Sequence, residues 1–256
     1  MTIRLKTAQE IKILREGGRR HAEIFSILAK LVKPGVSTLI LEEETLRLIK
    51  EGGDKPAHLG YRPHGAERPF PAALCLSIND EIVHGIPNEN VRVINEGDIV
   101  SLDLSVEHNG MITDAAITVP CGTIDDEARK LLEVTRKALY AGIKVAIPGN
   151  TVGDIGKAIS DTVRPSGFSI ADDLAGHGVG FEIHEEPYVP NFGMAGKGAK
   201  LTPGLVIAIE PMVNMGGSGI KDMNDGYTIK TRDGSRSAHF EHTVAITEKG
   251  NIILTS

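Results

Sequence analysis

A chain of 256 residues, 41% hydrophobic and 24% charged, has enough apolar material to bury a core and does not have the composition of a disordered protein. Its net charge of -6 excludes the broad basic footprint of a nucleic-acid-binding protein. Cys75 and Cys121 make neither a disulfide framework nor a CxxC site, and no apolar run has the length of a signal peptide or a membrane span. One domain over residues 1–256, working in the cytoplasm away from membranes, is the expectation.

Thr7 and Glu10 form a T-x-x-E capping box, and Ile11, Leu14, Ile24, Phe25, Leu28 and Leu31 follow at roughly helical spacing up to Pro34-Gly35. Leu39, Leu41, Leu46, Leu48 and Ile49 predict a second helix that Gly52-Gly53 ends. The stretch from Pro56 to Pro71 carries four prolines and reads as loop. From Asp98 the period changes to two, with Ser101, Asp103 and Ser105 alternating against Val100, Leu102, Leu104 and Val106, the pattern of a strand with one buried face. Asn109-Gly110 supplies a hairpin turn. That turn pairs Glu107 with Ile112 and Ser105 with Asp114, which sets Asp103 and Asp114 diagonally on one face.

A second cycle opens at Asp125 with a helix closing at Pro148-Gly149, then a Thr151/Asp154 capping box, then strand-like runs at 205–213 and 238–246. The order repeats the first half, and so do short motifs. Lys33-Pro34-Gly35 answers to Ile147-Pro148-Gly149, and the HxxP motif at His84 answers to the one at His184. GDIVSLD, ending at Asp103, answers to GLVIAIE, ending at Glu210, and DAAIT from Asp114 loosely matches EHTVAIT from Glu241. An α+β fold of two pseudo-twofold halves, roughly 1–122 and 123–256, would bring these residues together on the axis between them.

Each carboxylate taken singly reads as a turn or solvent-facing residue. Asp103, Asp114, Glu210 and Glu241 differ because each interrupts an apolar or β-branched run, where a lone charge is costly. At ~4 Å and an effective dielectric of ~20, each like-charge pair among them opposes assembly by about 4 kcal/mol. Two divalent cations balance four carboxylates, and His177, in GHGVG, is the candidate imidazole. GHGVG and the GGSG at 216–219 lack the spacing of nucleotide-binding loops, and Tyr188 stands where a zincin motif starting at His184 needs its second histidine. Cys75 reads as a small core residue, and His21, His58, His64 and His108, having no partner pattern, read as surface or loop.

Taken together, EIVHGIP, DIVSLDLSVEHNGMITDAAIT, GHGVGFEIHEEP, AIEPM and SAHFEHTVAIT resemble the type I methionine aminopeptidases, in order and over essentially the whole chain. The resemblance implies the pita-bread (creatinase/aminopeptidase) fold, with an antiparallel sheet covered by helices. It also implies hydrolytic removal of the initiator methionine from nascent polypeptides, with a preference for a small second residue. Two divalent cations (Fe2+, Mn2+, Co2+ or Zn2+) are implied, one held by Asp103, the other by His177 and Glu210, with Asp114 and Glu241 shared. By the same resemblance Glu210 handles the proton, His184 contacts the peptide carbonyl and His84 the peptide nitrogen beyond the first residue. Some relatives carry Phe and Trp where this chain has Ile183 and Tyr227; Phe70, Cys75, Ile183 and Tyr227 are the candidates for an apolar side-chain pocket, with plain core packing an equal alternative. His239 has no role that the sequence assigns.

Two other functions fit parts of this pattern. Proline-directed aminopeptidases and dipeptidases of the same fold resemble the chain in metal ligands but usually carry a large extra amino-terminal domain, for which a first helix near Thr7 leaves no room. Between His184 and Glu210 the chain is also too short for the insertion that marks type II methionine aminopeptidases. A non-catalytic pita-bread binding module would have lost ligand positions that are intact here. A compact monomer is expected, and ribosome contact stays open.

Overall fold

A computed structural model describes residues 2–256. Helix α1 (Ala8–Leu31) starts at the expected capping box: the Thr7 N–H donates to Glu10 Oε2 at 2.7 Å, and the Glu10 N–H donates to Thr7 Oγ1 at 3.3 Å. It is followed by α2 (Thr38–Glu51), β1 (Lys55–Pro56), β2 (Leu74–Ile78), β3 (Glu81–Val83), β4 (Ile99–His108) and β5 (Met111–Pro120). The second cycle repeats the order with α3 (Asp126–Val145), capped by Asp125, and α4 (Val152–Val163). Its strands are β6 (Ser169–Ile170), β7 (Ala175–Gly178), β8 (Glu185–Pro190), β9 (Val206–Ile209), β10 (Met212–Asn214), β11 (Ile220–Asp222), β12 (Ile229–Thr231), β13 (Ser237–His239), β14 (Glu241–Thr247) and β15 (Gly250–Ile253).

The main sheet runs β1-β4-β5-β14-β9-β7-β8, with β2 added on β4 and β15 on β14. Smaller sheets β13-β10-β6 and β11-β12-β3 flank it, and strands pair antiparallel throughout. Asn109 and Gly110 both take positive φ, 49° and 80°, as a tight hairpin turn requires. The register that follows pairs Glu107 with Ile112 and Ser105 with Asp114, as the turn position predicts.

Leu102, Leu104 and Val106 point from β4 into a core with Leu28 and Leu41 of the two amino-terminal helices. Leu131, Ile155 and Ile159 of α3 and α4 cover Ile207, Ile209 and Val244 in the same way. Alternation then sends Ser101, Asp103 and Ser105 to the face away from the helices. These three residues are only 3%, 8% and 0% exposed, so that face is enclosed and does not open to solvent. Contacts from other segments enclose it: His58, from the proline-rich loop, lies 2.8 Å from Ser105 Oγ, and Thr118 lies 2.8 Å from Ser101 Oγ.

The two halves meet where β5 pairs with β14, Glu241 opposite Ala116 and His242 opposite Ala115. A side-chain clamp reinforces this seam: Thr243 Oγ1 accepts from the Asp114 N–H at 2.8 Å and donates to the Asp114 carbonyl at 2.6 Å. Both halves therefore contribute strands to one sheet and a helix pair to one of its faces, leaving the opposite face for the polar residues.

The carboxyl-terminal segment closes over α1 at Gly18, where an added Cβ would stand 2.1 Å from the Leu254 carbonyl oxygen. Helix propensity alone favours alanine over glycine by about 1 kcal/mol. Backbone overlap of this size outweighs it, so Gly18→Ala is expected to lower unfolding stability by about 1–3 kcal/mol in urea denaturation. A variant as stable as the parent would show that this segment yields freely.

Candidate metal centre and active site

Five strands or strand ends deliver the predicted ligands to the enclosed face. Asp103 comes from β4, Asp114 from β5, and Glu241 from the start of β14, while Glu210 follows β9 directly. His177, in β7, turns Nε2 toward Glu210 Oε1 at 3.2 Å and Asp114 Oδ2 at 3.8 Å. Its other nitrogen, Nδ1, lies 3.0 Å from the Gly178 carbonyl, so Nδ1 carries the proton donated there and Nε2 is the nitrogen whose lone pair a cation would take once Nε2 gives up its own proton.

The electrostatics follow from the crowding. Burial, together with Asp114 and Glu210, holds the Asp103 carboxyl well above the usual carboxylate range. Burial and the other three carboxylates do the same to Glu241. Asp114 is raised to about 6, again chiefly by burial, with nearby His177 pulling the other way. Against the effect of burial, contact with Glu210 raises His177 to about 9, and against the same effect the imidazoles of His177 and His239 beside it lower Glu210 to about 2. Asp114 Oδ1 and Glu241 Oε1 are buried without any hydrogen-bond partner. Ligand atoms of Asp114, His177 and Glu241 lie within 4.8 Å of one another, as do those of His58, Asp103 and Asp114. Orphaned carboxylate oxygens around the inward-facing Nε2 of His177 fit divalent first-row cations.

The five residues form one side of a cavity of about 580 Å³, which His84 and His184 also line. His84 holds a positive φ of 59° at the end of β3. His184 stands at the mouth, its ring 4.4 Å from that of His177, with Nδ1 2.8 Å from the Tyr61 hydroxyl. The turn carrying His184 is fastened from behind. Glu185 Oε1 accepts the N–H groups of Phe181 and Glu182 at 2.5 and 3.0 Å, and Lys6 Nζ reaches Glu185 Oε2 at 2.7 Å in an almost wholly buried ion pair.

Phe70, Cys75 and Tyr227 line the apolar part of the cavity and pack with Ala72 and Ile86. Ile183 does not line it: that side chain is 3% exposed and lies outside the cavity, whose lining His184 joins from the same turn. His58 does lie in a loop, as expected, though not at the surface, and the reading of His21 as a surface or loop residue is corrected, since it lies within α1. His58 is 8% exposed and lines the cavity between Ser105 Oγ and Cys75 Sγ, with burial lowering its pKa to about 3. His21 is fully buried beside Thr113. His108 is partly buried against Asp54 at 2.7 Å, and His64 is exposed. Sequence reasoning missed both His58 and Tyr61; their spacing of three in a proline-rich loop has no period that marks it as part of a site.

Metallopeptidase family M24 matches residues 12–248 of the chain. The chain belongs to this family. A methionine aminopeptidase of Aquifex aeolicus is 49% identical over 257 residues, covering 100% of this chain and 99% of that protein. Methionine aminopeptidase 1 of Bacillus subtilis is 45% identical, covering 98% of each. The crystal structure of a methionine aminopeptidase from Thermotoga maritima superposes with a TM-score of 0.94 at 41% identity over 100% of both chains. A prolidase from Pyrococcus furiosus, at 23% identity, shares the fold with a TM-score of 0.74, and the match covers 98% of this chain but 65% of that one. These M24 relatives bear out the pita-bread fold and the resemblance carried by the five sequence motifs.

In an M24 metallopeptidase, cation binding requires ionised carboxylates and an unprotonated His177 Nε2. Asp103, Asp114 and Glu241 hold their protons more firmly than ordinary carboxyls, and His177 holds its own up to about 9, so loading must displace protons. Affinity for Mn2+ is therefore expected to rise at least about tenfold from pH ~6 to pH ~7, with protons released in calorimetric titrations in buffers of different ionisation enthalpy. Affinity independent of pH would contradict this charge assignment.

Proposed function

We propose that the chain is a methionine aminopeptidase that removes the initiator methionine from nascent polypeptides, preferring a small second residue. The observation that carries the proposal is the meeting of four enclosed carboxylates and Nε2 of His177 beside an apolar pocket formed by Phe70, Cys75 and Tyr227. In this reading Asp103 holds one cation, His177 and Glu210 hold a second, and Asp114 and Glu241 lie between them. Two divalent cations, drawn from Fe2+, Mn2+, Co2+ and Zn2+, supply Lewis-acid polarisation of the peptide carbonyl and acidify a water molecule when bound.

The remaining work falls to the side chains. Glu210, whose carboxyl is lowered to about 2, stays ionised at neutral pH and accepts the proton given up by the attacking water. The Tyr61 hydroxyl, donating to His184 Nδ1, fixes the tautomer with hydrogen on Nε2, which then donates to the carbonyl oxygen of the scissile peptide. His84 accepts from the peptide nitrogen beyond the first residue. Phe70, Cys75 and Tyr227 receive the unbranched thioether, a side chain suited to an irregular apolar pocket. Residues 1–256 act as one catalytic domain and as a monomer in the cytoplasm, and no helix among the described residues is long and apolar enough to cross a membrane.

The prolidase-like alternative has less support, because likeness to the prolidase is confined to the fold and extends over 65% of that longer chain. Intact ligand positions also disfavour a non-catalytic module. Purified chain is expected to release Met from a Met-Ala-Ser peptide, to leave Ala-Pro peptides uncut, and to lose activity with chelator. Cleavage of Ala-Pro in preference to Met-Ala-Ser would reverse the assignment. Glu210→Gln is expected to lower kcat by about 10²–10⁴-fold, and His184→Ala by about 10²–10³-fold, in the same assay.

A further inference from the structure

His239 is a buried histidine beside the carboxylates that has so far been given no task. It ends β13, pairs with Met212 two positions beyond Glu210, and precedes Glu241 by two. Its backbone is fixed across the seam between the halves: the Thr118 hydroxyl accepts its N–H and donates to its carbonyl, both at 2.8 Å. The side chain is 1% exposed, and neither ring nitrogen has a hydrogen-bond partner. An unsatisfied buried polar group costs about 1–3 kcal/mol, so an imidazole in this position calls for a partner.

Two partners are in reach of the same nitrogen. Nε2 stands 3.6 Å from Glu210 Oε2 and 3.9 Å from Glu241 Oε2. The other oxygen of Glu210 faces His177 Nε2 at 3.2 Å, so the Glu210 carboxylate is flanked by an imidazole at each oxygen. These separations are longer than a formed hydrogen bond. Long contacts of this kind are common in unloaded active sites and tighten when the site is filled.

We propose that His239 is a positioning residue of the metal centre, donating from Nε2–H to Glu210 and Glu241 and holding both carboxylates in their cation-binding orientation. The assignment rests on the metallopeptidase reading above. His239 and His177 thereby divide the labour: one imidazole gives its lone pair to the cation, and the other gives its N–H to the carboxylates. Because Glu210 belongs to the ion that His177 holds, whereas Asp103 belongs to the other, loss of His239 weakens one ion far more than its neighbour.

The test is a calorimetric titration of metal-stripped full-length chain with Mn2+, comparing wild type, His177→Ala, His239→Leu and His239→Gln. His239→Leu, which has no donor, is expected to weaken the binding step that His177→Ala removes by about 10–100-fold, leaving the other step within about threefold. His239→Gln keeps an N–H donor but is a poor ligand, and it should stay within about threefold of wild type at both steps. Urea midpoints establish that each variant is folded. If His239→Leu is not, His239→Asn serves instead, since its shorter amide is expected to fall short of Glu210 and give the same selective loss. Wild-type binding in the leucine variant overturns the proposal, as does equal weakening of both steps. A glutamine variant as weak as the leucine one also overturns it, because the histidine would then be acting as something other than a donor. A wild-type chain that takes up no metal would instead remove the metallopeptidase reading, and this assignment with it.

Discussion

Mutual repulsion among four buried carboxylates is the constraint around which this molecule is built. Asp103 and Asp114 sit on one hairpin and Glu210 and Glu241 on two paired strands of the other half, so neither half alone concentrates all four charges. The repulsion arises when β14 docks on β5, and it must be overcome there by the rest of the interface. Apolar cores under each helix pair, the Thr243 clamp on Asp114 and the Thr118 clamp on His239 oppose it, and protons or cations neutralise what remains.

Placing the ligands on strands gives them the rigidity that the chemistry needs. A ladder of backbone hydrogen bonds fixes Asp103, Asp114 and Glu241, while the histidines at the mouth lie on turns, where precision has to come from side-chain fastenings. His184 shows how this is done. Tyr61 holds the ring from the solvent side, and the Lys6–Glu185 pair braces the turn from the interior. A buried ion pair adds little net stability compared with apolar packing, but its partners have few alternative geometries, which suits a residue whose position matters more than its contribution to folding.

Much of this arrangement was legible in the sequence because two periodicities carry it. The Asn109-Gly110 turn and the alternation after Asp98 set the β4–β5 register to the residue, and with it the placement of Asp103 and Asp114. Paired motifs in the two halves did the same for His84 and His184. What escaped was tertiary. Alternation says which face Asp103 occupies but not that the face is enclosed, since His58 arrives from a loop distant in sequence. Ile183 was assigned to the pocket by analogy of position, and it lies in a turn at 181–184 where no strand period fixes which side chain faces the cavity. His58 and Tyr61 lie in a loop where no period exists to betray their direction.

The last residues of the chain bear on its first helix. Leu254 donates its N–H to the Thr243 carbonyl and lays its own carbonyl against Gly18, while Lys6 reaches across to the turn of residues 181–185. During synthesis the amino-terminal half emerges long before either of these contacts has a partner. Its hairpin and helices have local reason to form early, but the polar face must await the strands of the second half. A centre of this design stays incomplete until β14 docks on β5.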